Sequence, residues 1–153
     1  MFVGTKDFPR SLQLDNYSCG ARSVYSILNH FGRNQTYSWV KEKTQLTSDG
    51  CNVADLVAAL RGGGLRVGYR GGYMSFKELV KIFKKGGVAL IHVDGDHFIV
   101  AHGYDGKRVW VADPSFFRCP TASLPSRKFR RRWCNWGLAV FPPRSGATLR
   151  RAA

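Results

Sequence analysis

The chain has 153 residues, 44% of them hydrophobic and 13% aromatic, the size of one ordinary globular domain that buries about two thirds of its unfolded surface without disulfides or metal. That composition excludes a disordered or collagen-like chain, and no apolar run reaches the roughly 18 to 20 residues of a membrane helix. The formal net charge of +14 favours encounters with nucleic acid, an anionic membrane surface or an acidic peptide without choosing among them, and a solvated basic face would carry the same charge.

The start, MFVGTKDFPRS, lacks the charged-then-apolar layout of a secretory signal, so a cytoplasmic location is expected. In CGARSVYSILNHFG, residues 19 to 32, the side chains of Val24, Ile27, Leu28 and Phe31 recur at spacings of three and four, which predicts a helix that Gly32 stops. A second short helix is expected over 37 to 45 and a third over NVADLVAALRGG, where Val53, Leu56, Val57 and Leu60 repeat at helical period. The tract LRGGGLRVGYRGG reads as loop and turn. Ser75, followed three residues later by Glu78, predicts a capping box ahead of LVKIFKK.

The pattern then changes to VALIHV (88 to 93), HFIVAHGY (97 to 104) and RVWVAD (108 to 113), short runs rich in β-branched and aromatic residues and divided by DGD and YDG. These predict strands of one antiparallel sheet, followed by a short helix around 126 to 133 and a last strand, GLAVF (137 to 141). Helices first and sheet second is an α+β order, with the helices against one side or end of the sheet. Residues 1–143 read as a single domain and 144–153 as a basic, frayed tail.

The four cysteines, Cys19, Cys51, Cys119 and Cys134, contain no CxxC pair and are expected to be free thiols. Cys19 falls at the start of the first helix, where a thiolate is favoured, and a histidine partner would favour it further. Of four histidines, His97 is the best partner, because it opens a strand after a turn. His30 lies late in the first helix, and His92 and His102 are mid-strand. Asp113 closes the following strand and can fix the tautomer of His97. A two-residue turn at Asp105 and Gly106 would send that carboxylate to the wrong face. A three-residue loop of Tyr104, Asp105 and left-handed Gly106, or an equivalent one-residue bulge, would set His97 across from Asp113. Gln13, six residues before Cys19, can offer an amide to an oxyanion beside the Cys19 N–H.

Gln13 and Cys19 in QLDNYSCG, with His97 and Asp113 in HFIVAHGYDGKRVWVADP, resemble the peptidase C39 family, papain-like cysteine peptidases that process double-glycine leaders of bacteriocins and related secreted peptides. The resemblance runs from about residue 11 to 141 and implies a papain-like fold, an N-terminal helical half packed on a C-terminal antiparallel sheet. It implies Cys19 as nucleophile, His97 as general base and acid, Asp113 as its orienting group and Gln13 as oxyanion donor, with no cofactor or metal. The implied partner is a peptide substrate with a Gly-Gly leader. Many family members are fused to an ABC exporter. This chain carries no membrane span and no GxxxxGK[ST] loop, so it would act alone or beside a separate exporter. A competing reading is a non-catalytic papain-like module that binds nucleic acid, an anionic surface or an acidic partner through Lys128, Arg130, Arg131 and Arg132, interleaved with Phe129 and Trp133. A third keeps the machinery and changes the acyl transfer.

Overall fold

The computed structural model describes residues 1–68, 73–119 and 121–144. The expected tail therefore lies almost wholly outside the described residues. Twelve elements follow in order: β1 (Val3–Gly4), α1 (Cys19–His30), α2 (Tyr37–Lys43), α3 (Val53–Gly62), β2 (Arg66–Gly68), α4 (Phe76–Lys84), β3 (Val88–Val93), β4 (His97–Tyr104), β5 (Arg108–Ala112), β6 (Ser123–Pro125), α5 (Ser126–Arg132) and β7 (Trp133–Phe141).

The helices form where period and caps agree. Val24, Ile27 and Leu28 of α1 are fully buried, and Gly32 takes a left-handed φ of 71° just past the helix, a conformation that a β-carbon would oppose. Thr36 and Asn52 cap α2 and α3 by accepting from Trp39 N and Asp55 N. The predicted capping box of α4 is present, Ser75 Oγ accepting from Glu78 N and Glu78 Oε1 from Ser75 N. That pair satisfies two of the N–H groups a helix start leaves unpaired.

All seven strands join one antiparallel sheet in the order β2-β7-β3-β4-β5-β6, with β1 on β4. Because β5 holds one side of Gly103 and Tyr104, β1 lies on the other, beyond the start of β3. Every residue of β3 except half-buried His92 is buried. Val88 and Leu90 face α1, α2 and α3, whereas Ala89, Ile91 and Val93 face Leu79, Ile82 and Phe83 of α4 and Phe129 of α5. The architecture is α+β, but helices cover both faces of the sheet rather than one side. A strand apolar at every position needs cover on both faces, which is why the sheet is sandwiched.

Four strands depart from expectation, the first being β1, Val3–Gly4 on β4, in a stretch where no strand was expected. Arg66–Gly68, within the tract read as loop, pairs with Ala139, Val140 and Phe141 of β7. Ser123–Pro125 forms β6 against β5. β7 starts four residues earlier than expected, and its register against β3 shifts between Ile91 and Val93, near Asn135 at φ 54°. At that bulge Met74 N donates to Asn135 O at 2.7 Å.

Candidate active site

Cys19 is the first residue of α1 and His97 the first of β4; Asp113 follows β5 directly. The three meet at the end of the sheet nearest the helix start. Cys19 is 9% exposed, His97 3% and Asp113 1%. The Nε2 of His97 lies 2.6 Å from Asp113 Oδ1, which leaves Nδ1 as the ring nitrogen available to the Cys19 thiol, whose ionisation the imidazole favours. The N–H of Phe98 donates to the same sulfur at 3.5 Å.

These contacts set the charges. Burial opposes a charged imidazole, yet the hydrogen bonds and negative charges of Asp113 and Cys19 outweigh it and raise His97 to about 9. Burial likewise pushes the Cys19 thiol up. Hydrogen bonds from His97, from the N–H groups of Phe98 and Gly20, and the imidazolium charge reverse that, leaving it below the ordinary thiol range. The ionised forms of the thiol and the imidazole thus favour each other, the coupling a sulfur nucleophile needs.

The register that brings His97 to Asp113 differs from the expected one. Asp105, Gly106 and Lys107 connect the strands and Tyr104 pairs with Val109, so the loop is shifted by one residue; a one-residue bulge at His102 then moves the register between Ala101 and Gly103. Val100 pairs with Ala112, and the next position sets Asp113 across from Ile99. His97 is therefore diagonal to Asp113 on the same face, not directly opposite. Gly106 has the expected left-handed φ, 93°. Asp105 Oδ1 accepts from the N–H groups of Lys107 and Arg108, which closes the loop as an Asx turn.

Gln13 is tied to the same region. Its backbone N–H donates to Pro114 O at 2.9 Å, and its side-chain amide donates to Asp15 O at 2.6 Å. One amide N–H remains for another acceptor. Asp15 Oδ1 accepts from Tyr17 N and Ser18 N, turning the chain into α1 and holding Asp15 below the usual carboxylate range in spite of partial burial. An open cleft of about 250 Å³ lies beside Cys19, lined also by Asn16, Tyr17, Ser48 to Cys51, Asp96 and Phe98.

Several contributors escape a reading by residue type. Arg10 Nε donates to Asp113 O at 2.6 Å, and its Nη2 to the carbonyls of Ser115 and Cys119, fixing the segment that carries the carboxylate. Ser115 N donates to Asp113 Oδ1 at 2.8 Å. The other histidines have packing roles: His30 lies against Phe8 and Phe31, His92 against Phe98, and His102 stacks on Phe8 with Nδ1 2.6 Å from Thr5 O. Cys119 is buried, Cys51 half-buried and Cys134 exposed.

The basic segment is only partly as expected. Lys128, Arg130 and Arg131 are exposed, Arg130 lying 4.0 Å over the Phe76 ring, but Arg132 is half-buried and pairs with Asp94. Phe129 and Trp133, expected to interleave the charge with available rings, are buried at 0% and 4% and cannot stack on bases, which removes the aromatic half of the nucleic-acid reading. Among the described residues no helix is long and apolar enough to cross a membrane.

Comparison with known proteins gives the family and the fold. An uncharacterized protein of Methanothermobacter thermautotrophicus is 30% identical over 110 residues, covering 70% of this chain and 72% of the relative. The crystal structure of a double glycine motif protease from an AMS/PCAT transporter, in complex with the leader peptide, superposes with a TM-score of 0.71 at 25% identity, covering 90% of this chain and 92% of that one. The peptidase domain of Streptococcus ComA, a bi-functional ABC transporter of a quorum sensing pathway, superposes at 0.70 with 17% identity, covering 92% and 100%, a likeness of fold. The profile of the peptidase C39 family matches residues 7–145, and the chain belongs to that family.

Proposed function

We propose that this chain is a cysteine peptidase that hydrolyses a peptide bond through Cys19, His97 and Asp113. The observation that supports the reading is a buried imidazole 2.6 Å from the Asp113 carboxylate beside a thiol at the start of α1, each of the two favouring the charged form of the other. The thiolate attacks the scissile carbonyl, and the oxyanion of the tetrahedral intermediate takes hydrogen bonds from the Cys19 N–H and the remaining amide N–H of Gln13. His97 protonates the leaving amine; the thioester then accepts a water that His97 deprotonates, and the freed acid restores the thiolate. Asp113 keeps the ring oriented throughout.

The substrate we infer is a secreted peptide bearing a double-glycine leader, cut after Gly-Gly on the cytoplasmic side and passed to an exporter. The double glycine motif protease solved with its leader peptide supports this, since its likeness extends over nine tenths of the chain. The test is cleavage of synthetic peptides with and without Gly-Gly before the scissile bond. Cys19→Ala is expected to abolish cleavage with an unchanged circular dichroism spectrum, and alkylation of Cys19, unlike EDTA, to inactivate the parent. Hydrolysis retained by the variant would overturn the mechanism; equal rates on peptides lacking glycine would overturn the substrate.

A further inference from the structure

One buried polar atom of the His97 and Asp113 pair is left without a hydrogen bond. The Oδ1 of Asp113 is taken by His97 and Ser115 N, but its Oδ2 has no hydrogen-bond partner among the described residues. A buried carboxylate oxygen left bare is costly. The guanidinium of Arg132, at the end of α5, stands 4.0 Å from that oxygen. The same guanidinium forks Asp94, Nη2 to Oδ2 at 2.7 Å and Nε to Oδ1 at 3.0 Å, while Arg132 O accepts from Asp94 N at 2.8 Å. Asp94 begins the turn that delivers His97, and it does so at φ 57°, followed by Gly95 at 78°. A non-glycine residue in the left-handed region needs such support.

We propose that Arg132 is a positioning residue for the His97 and Asp113 pair, one guanidinium that fixes the turn ahead of the histidine and faces the far oxygen of the aspartate. Asp94 and Arg132 form a balancing pair beside the reactive charges. Arg132 is largely enclosed, its side chain 16% exposed, so water screens it little. Arg118, which pairs with Asp96 at 3.0 Å and reaches Asp94 at 3.7 Å, is 41% exposed and contributes less. The charged and titratable groups around His97 are thus Cys19 from α1, His92 from β3, Asp94 and Asp96 from the turn, Asp113 after β5, Arg118 from the following loop and Arg132 from α5.

Such a pair makes opposite predictions for its two members. Arg132→Gln removes a cation and unmasks Asp94, which favours the imidazolium and disfavours the thiolate, so both ionisations move to higher pH. Asp94→Asn unmasks Arg132 and moves both to lower pH. The readout is the rate of iodoacetamide alkylation of Cys19 against pH, followed by mass spectrometry on the peptide containing it. This needs no peptide substrate, so it stands apart from the peptidase reading on which the proposal rests. Shifts on the order of half a pH unit in opposite senses are expected, with Arg132→Lys restoring the parent profile, the double variant falling between the singles, and Arg118→Gln moving the profile less than Arg132→Gln. On a cleavable peptide, kcat should fall in Arg132→Gln with KM little changed. Profiles that do not move, or that move in one direction for both variants, would overturn the proposal even with cleavage by Cys19 intact. Should Arg132→Gln fail to fold, the acid shift of Asp94→Asn and the unmoved profile of Arg132→Lys decide it.

Discussion

Asp113→Asn isolates the electrostatic part of the site, because the amide keeps the shape and an oxygen that can accept from Nε2–H while losing the charge. His97 stands at about 9 against an ordinary 6.5, a rise worth about 3 kcal/mol at roughly 1.4 kcal/mol per pH unit. Burial pulls the other way, so Asp113 and Cys19 together supply more than this difference, and the hydrogen bond to Asp113 is the largest favourable part. Removing its charge should lower His97 by at least about one pH unit. An NMR titration of the His97 ring and the alkaline limb of kcat/KM should report the same drop. Stability provides a second test with a definite sign. A histidine whose folded value lies above its unfolded one stabilises fully below about pH 6.5 and loses that contribution as pH rises through about 9. The gap in denaturation free energy between parent and variant is therefore widest near pH 6 and closes above 9. A histidine that still titrates near 9 in the variant, with a gap constant across pH, would refute the claim that Asp113 holds the charge on His97.

Two further outcomes are expected. Gln13→Ala should lower kcat by about 10² to 10³ with KM changed little, the effect of losing one oxyanion donor; steady-state kinetics showing less than a threefold change would remove Gln13 from that role. His102, pushed down to about 4 by burial, is neutral when folded but takes up a proton near 6.5 when unfolded, so it destabilises as pH falls from 6.5 to 4, by about 3 kcal/mol at the lower end. His102→Gln should flatten that slope in urea titrations between pH 4 and 7, and an unchanged slope would assign acid sensitivity elsewhere.

Much of this was legible in the sequence where local chemistry decides the structure. The period of α1, the capping box of α4 and the turn formers around β3, β4 and β5 act over a few residues, and those elements fall within one or two residues of their expected ends. What was hidden depends on distant partners. Arg66–Gly68 has no strand pattern of its own and is extended because β7 lies beside it. The bulge at His102, which decides the diagonal from His97 to Asp113, is marked only by Gly103 beside it, a residue that signals a bulge without fixing its register. Helices on both faces had a signal, since VALIHV is apolar at every position but one, and a strand covered on one side would alternate. The clamps at Arg10 and Arg132 had none. Among 24 basic residues, nothing in type or spacing separates an arginine that holds a carbonyl 103 positions away from one that faces solvent.

The Asp113-Pro114 dipeptide explains why the reactive pair sits where it does. Proline carries no N–H, so the ladder between β4 and β5 cannot continue past it; the last pair is Val100 with Ala112. Phe98, two residues beyond, is left with no β5 residue opposite it, and its N–H donates to the Cys19 sulfur instead. The same departure of the chain delivers the Asp113 carboxylate to His97 and the Pro114 carbonyl to Gln13 N. One early strand ending thus opens room at the sheet's end for the start of α1, frees a donor for the Cys19 sulfur, and anchors both the carboxylate that faces His97 and the segment bearing Gln13. A β5 strand extended by two residues would satisfy Phe98 through the ladder and close the sulfur's place, so the site depends on the sheet being shorter than its apolar core would allow.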